Sequence, residues 1–128
     1  MFDILAIDWG QKRYGLSYGD SSTKLVIPDK NHRFTKNIYS DLELIFNSKP
    51  INTIVIGLPT NFQLQSTKIT QVIEDFILVI KQKFSDKKII TINERGTTQE
   101  SINLGAKDSH TINHLSATYI LKRFLGLY

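Results

Sequence analysis

Three stretches of this chain put reactive side chains beside residues that could hold them in place. The first is Asp8-Trp9-Gly10-Gln11-Lys12-Arg13-Tyr14-Gly15. Its acid ends an apolar run, so a strand would fix the carboxylate at an edge, where it could hold a divalent cation. Gly10 and Gly15 would let the backbone approach a phosphate closely, and Lys12 and Arg13 could contact phosphates directly. A polar hairpin turn with a capping Asp accounts for the same residues without chemistry.

The second stretch is Asn93-Glu94-Arg95-Gly96-Thr97-Thr98, in which Glu94 follows the apolar run Ile89-Ile90-Thr91-Ile92 directly. Thr97 or Thr98 would cap the next helix, with Glu100 or Ser101 in its first turn. Taken alone, Glu94 and Arg95 read as a surface pair of small value. The third is Lys107-Asp108-Ser109-His110-Thr111-Ile112-Asn113-His114. Here a last helix begins, capped by Asp108, Ser109 or Thr111. His110 and His114 stand four apart and could share a helix face, a spacing that binds metal only with a third ligand nearby.

These stretches need elements to position them. Phe2–Asp8 reads as a strand turning at Gly10, and Tyr14–Gly19 alternates and follows closely, so the two predict a hairpin. Lys24–Ile27 is a candidate third strand stopped by Pro28, followed by a polar, basic loop over Asp29–Phe34. Thr35 could cap a helix to about Ser48 with Ile38, Leu42, Ile45 and Phe46 at helical spacing. Thr53–Gly57 before Leu58-Pro59 has the mark of a buried parallel strand. Gln65–Phe84 carries Ile69, Val72, Ile73, Phe76, Ile77, Ile80 and Phe84 as one stripe, and Lys88–Ile92 is another strand. Thr97–Leu104 and Thr111–Leu125 read as helices. The second has Ile112, Leu115, Tyr119, Ile120 and Phe124 on one face. Strands alternating with helices imply an α/β fold with a mixed five-stranded sheet flanked by helices. Ligand sites in such sheets lie at the carboxyl ends of strands, which selects Asp8, Gly57–Pro59 and Asn93-Glu94.

Composition bounds the chemistry. The 128 residues are 41% hydrophobic, which suits one domain over residues 1–128 with an ordinary core. The absence of Cys excludes disulfides and thiolate metal sites. Lys and Arg number 16 against 12 for Asp and Glu, a net charge of +4 that favours an anionic partner. Basic residues gather at Lys30, His32, Arg33 and Lys36, at Lys81, Lys83, Lys87 and Lys88, and at Lys122 and Arg123. Trp9, Tyr14, Phe34 and Tyr39 offer stacking surfaces suited to a nucleic-acid groove. The lysines around the long helix read better as its solvated end. No stretch reads as a membrane span or secretory leader, so a cytoplasmic protein is expected.

Together the motifs resemble the YqgF (RuvX) family, the Holliday-junction-resolvase-like proteins also described as pre-16S rRNA nucleases. Asp8-x-Gly10-x-Lys12-Arg13-x-Gly15 looks like the family's opening motif. Ile54-Val55-Ile56-Gly57-Leu58-Pro59 is similar to its central strand and turn. Asn93-Glu94-Arg95-x-Thr97-Thr98 looks like its late acidic motif, and Ile112-Asn113-His114-Leu115-Ser116-Ala117-x-x-Ile120-Leu121 is similar to its final helix. The resemblance implies a ribonuclease-H-like fold and cleavage of phosphodiester bonds with Mg²⁺ or Mn²⁺. It makes Asp8 and Glu94 catalytic metal ligands, while the family's third acid is replaced here by Asn113. Asn113 can offer a carbonyl oxygen but no charge, so metal affinity and activity should fall. Asp108, His110 or His114 could substitute as ligands. Lys12, Arg13 and Arg95 would bind substrate phosphates, with the useful positive charge around Lys12, Arg13, Arg33 and Arg95.

The leading expectation is a nuclease processing pre-16S ribosomal RNA. The alternatives are a Holliday junction resolvase, or a catalytically weakened nucleic-acid- or ribosome-binding module of the same fold. Its partners would be precursor ribosomal RNA or branched DNA, with the ribosome a further candidate and the chain a monomer or weak homodimer. An Asp-x-Gly hairpin also resembles the phosphate loop of sugar-kinase and actin-like ATPases, but those need two such domains around a nucleotide.

Overall fold

A computed structural model of the chain describes residues 1–58, 67–93 and 109–127, with side chains over 1–58, 71–92 and 114–127. Five strands form one sheet in the order β3-β2-β1-β4-β5. They are β1 (Ile4–Asp8), β2 (Gly15–Gly19), β3 (Val26–Pro28), β4 (Thr53–Leu58) and β5 (Lys88–Asn93). The described helices are α1 (Ile38–Ser48), α2 (Thr67–Lys83) and α3 (Ser109–Phe124). β1 pairs antiparallel with β2 and parallel with β4, and β4 pairs parallel with β5, so the sheet is mixed.

β1 is central, and Ile4 to Ile7 are all buried. This is why its sequence is apolar without interruption: both faces of the strand are covered. The alternation of the strands divides the apolar side chains into two cores. Leu5 and Ile7, with Leu16, Tyr18, Ile54 and Ile56, pack against Ile38, Leu42 and Ile45 of α1 and Phe76 and Ile80 of α2. Ile4, Ala6 and Val55 face the other way, onto Ile120, Leu121 and Leu125. Removing one of these buried aliphatic groups costs about 2–5 kcal/mol.

The expected mixed sheet is present, with small shifts in its elements. β1 begins at Ile4 rather than Phe2. β3 begins at Val26 rather than Lys24, and Pro28 is its last residue rather than the stop after Ile27, paired with Ser17. An edge strand tolerates Pro because its missing N–H faces no ladder partner. Thr35 does not cap α1. It opens a short 3₁₀ turn, Thr35–Asn37, and its hydroxyl donates to the Gly10 carbonyl at 2.7 Å. The final helix is buried more widely than one apolar stripe: Ser116 to Leu121 are all buried. The expected helix over Thr97–Leu104 lies outside the described residues. No helix among the described residues is long and apolar enough to cross a membrane.

Candidate functional site at the carboxyl edge of the sheet

Asp8 is the last residue of β1 and half-buried. Along β1 it alternates with Ile4 and Ala6, which places it on the α3 side of the sheet. Its cross-strand partners are Gly15 on β2 and Gly57 on β4. Residues directly opposite one another share a face, so the carboxylate has no side chain beside it on either neighbouring strand. A carboxylate held at the end of a central strand, with a glycine opposite it on each side, is a fit setting for a hard cation, which takes oxygen ligands.

α3 crosses this floor. The buried His114 accepts a hydrogen bond at Nδ1 from the Leu16 N–H, 3.1 Å, and Leu16 directly follows Gly15. Its Nε2 is 2.7 Å from the Asn31 carbonyl oxygen. A carbonyl only accepts, so Nε2 is the donor to Asn31 while Nδ1 accepts from Leu16. Both ring nitrogens are thereby occupied, and His114 is not a spare metal ligand as the sequence allowed. It fastens α3 to β2 and to the loop after β3. Ser17 Oγ adds a bond to the Ala117 carbonyl at 3.0 Å. Asn113 is the residue of α3 immediately before this fastening. Its side chain, and that of His110, lie outside the described residues, as do Glu94, Arg95, Thr97, Thr98, Asp108 and Pro59. Ile92, two residues before Glu94, packs in the α3-side core. Among the described residues, no three His, Cys, Asp or Glu side chains cluster in a way that could hold a metal.

Lys12 and Arg13 are exposed on the loop after β1. Gly10 is required there for a reason the sequence did not give. A Cβ on it would lie 2.3 Å from the Arg13 carbonyl oxygen, so the glycine permits the loop's own tight turn. The Arg13 backbone bridges antiparallel to Phe34.

Arg33 does not belong with the substrate-facing cations. Its Nε donates to Asp29 Oδ2 at 2.6 Å, and its Nη1 is 3.8 Å from Asp41 Oδ2. Burial pulls its pKa down, but the hydrogen bond it donates to Asp29, together with the charge of Asp29 and the nearby Tyr14 and Tyr18, raises it overall. Tyr14 is not a stacking surface either. It is fully buried, and its hydroxyl donates to Asp41 Oδ2 at 2.6 Å. Burial first, and then the Asp41 carboxylate, drive its pKa far above the ordinary phenol value. Burial, with Asp29 beside it, pushes Tyr18 up to about 12. Both phenols stay neutral and do no proton chemistry near neutral pH. Trp9 and Tyr39 are half-buried, each ring within about 6 Å of Phe76. The Asp29–Arg33–Asp41–Tyr14 network was missed in the sequence, although Asp29 and Arg33 carry an i, i+4 spacing.

Comparison with known proteins bears on what this edge does. A family model described as RuvX, Holliday junction resolvase, matches residues 3–126. A protein of Mycoplasma mobile named as a candidate pre-16S rRNA nuclease is 34% identical, over 97% of this chain and 92% of that protein. The protein of the same name from Karelsulcia muelleri is 31% identical, over 98% and 99%. That of Amoebophilus asiaticus is 28% identical, over 98% and 94%.

Proposed function

Because the chain belongs to the RuvX family, whose fold is ribonuclease-H-like, we propose that it is a metal-dependent nuclease that processes the precursor of 16S ribosomal RNA. The observation that carries this is the placement of Asp8 at the carboxyl end of the central strand, between Gly15 and Gly57 and under α3. The substrate follows the names of the relatives. Residues 1–128 are taken as one nuclease unit, acting in the cytoplasm as a monomer or weak homodimer.

Asp8 and Glu94 would hold Mg²⁺ or Mn²⁺, with Asn113 adding a neutral carbonyl oxygen. A bound ion of this kind activates water and stabilises the departing oxygen. Asp8 supplies the negative charge, and Gly15 and Gly57 set no side chain opposite it. Lys12, Arg13 and Arg95 neutralise and position substrate phosphates, a contribution that carries no sequence information. Asp8→Asn keeps the shape of the side chain and removes its charge. Cleavage of a precursor-rRNA fragment in Mg²⁺ or Mn²⁺ is expected to fall by at least about a hundredfold, the order seen when one charge-stabilising group is removed. If Asp8→Asn cuts as fast as the parent chain, the reading is wrong.

A second reading is favoured by Asn113 itself: a module of the same fold that binds precursor RNA or the ribosome with little or no cleavage. Asn113→Asp restores a charge where closely spaced cations need one. On the nuclease reading, this variant binds Mn²⁺ more tightly and cuts faster. Unchanged metal affinity and unchanged cleavage would put the binding module ahead. Resolution of branched DNA needs two sites acting together, so a four-way junction that the protein cuts symmetrically, as a dimer in sedimentation, would favour the family's other described activity.

A further inference from the structure

The loop between β3 and α1 carries the exposed Lys30 and Lys36, and it is fastened along its length. The Thr35 N–H donates to the Lys12 carbonyl at 2.9 Å, and the Tyr14 N–H to the Arg33 carbonyl at 3.4 Å. The Arg13–Phe34 bridge lies between them, and the Thr35 hydroxyl holds the Gly10 carbonyl. At its other end the Asn31 carbonyl is held by His114 of α3. The loop after β1 and the loop after β3 thus form one two-stranded ridge, running from the side of Asp8 to the start of α3.

Lys30, His32 and Lys36 are exposed on this ridge beside the exposed Lys12 and Arg13. Its one acid, Asp29, is buried and paired with Arg33. The buried ion pair shapes the loop, and the ammonium groups of Lys30 and Lys36 stand at its surface. Phe34 is 41% exposed, directly opposite Arg13 in the bridge. Cations interleaved with an aromatic face suit a strand of nucleic acid, in which phosphates alternate with bases able to stack.

We propose that the zipped loops 10–13 and 29–36 form a track for a phosphodiester backbone, in which Lys30 and Lys36 extend the phosphate contacts of Lys12 and Arg13 and Phe34 stacks an unpaired base. This rests on the nuclease reading and names the surface along which its substrate lies.

The test is binding of a fluorescent single-stranded precursor-rRNA fragment by the full chain in the Asp8→Asn background, measured against salt. Each lost phosphate contact lowers the slope of log affinity on log salt by about 0.7 for a single strand. Lys30→Ala with Lys36→Ala is therefore expected to reduce the slope by about 1.4. Lys81→Ala with Lys88→Ala removes the same charge from exposed positions elsewhere and should leave the slope unchanged. Phe34→Ala should weaken single-stranded binding by about five- to a hundredfold with little change in slope, and duplex RNA of equal length should be less affected. A slope unaltered in the Lys30/Lys36 variant, or reduced equally in the Lys81/Lys88 variant, overturns the track and leaves the nuclease reading standing. A parent chain that binds neither RNA nor a DNA junction overturns both. Melting temperatures within a degree or two of the parent show that the surface variants are folded, as substitutions at exposed lysines should be.

Discussion

Tyr14 shows how a residue next to the site serves the fold instead. Its ring is fully enclosed, and its hydroxyl gives its proton to a carboxylate that also draws Arg33. A hydrogen bond to a charged group is worth about 1.5–3 kcal/mol, so Tyr14→Phe should lower unfolding stability by about that amount. Urea denaturation checks this, and RNA affinity should be nearly unchanged, because the phenol is not on the surface. The sequence put Tyr14 and Arg33 among candidate RNA contacts because residue type reports what a side chain can touch, not which way the backbone turns it. Asp8 was legible for the opposite reason. An acid ending a fully apolar run has one place to go, the carboxyl end of a buried strand. Its two glycine neighbours depend on strand register, which no local spacing encodes. His114 was unreadable as a fastener because its partners stand 98 and 83 residues away.

At the scale of elements, the contact of α3 with β2 is the tightest constraint on the site. A Cβ on Gly19 would lie 2.8 Å from Leu121 Cδ2, and Leu121 is fully buried, so it has no room to retreat. Gly19→Ala is expected to cost about 1–3 kcal/mol through overpacking. Leu121→Ala in the same chain should cost less than the sum of the two single changes, with a coupling of about 0.5–3 kcal/mol in a double-mutant cycle. Simple additivity would mean that the close approach carries no strain. The helices α1 and α2 were readable because each buries one stripe. α3 was read as another such stripe, but its small residues Ser116 and Ala117 lie against the sheet and widen the buried face. Small side chains carry little hydrophobic signal, so a helix that approaches closely through them looks less buried in sequence than it is.

For the whole molecule, the mixed character of the sheet followed from the alternation of apolar runs with helices, since a parallel pair needs a crossover and a tight turn makes a hairpin. What did not follow was the meeting of the loops after β1 and β3, which are separated in sequence by a hairpin and joined only in space. A ligand that binds the folded chain alone stabilises all of it, by about 2.7 kcal/mol at a hundred times its dissociation constant. Mn²⁺ should therefore raise the melting temperature of the parent chain, raise it further for Asn113→Asp at the same concentration, and leave Asp8→Asn unmoved in a thermal shift assay. Equal shifts in all three would place the ion elsewhere. The docking of α3 has a further consequence for the timing of the protein's birth. The helix that roofs the Asp8 edge follows all five described strands, and its His114 closes loops of 98 and 83 residues. A chain emerging from the ribosome at about 5–20 residues per second carries an unroofed sheet until this helix is free to dock. On the nuclease reading, the Asp8 edge gains its cover only once this helix has docked.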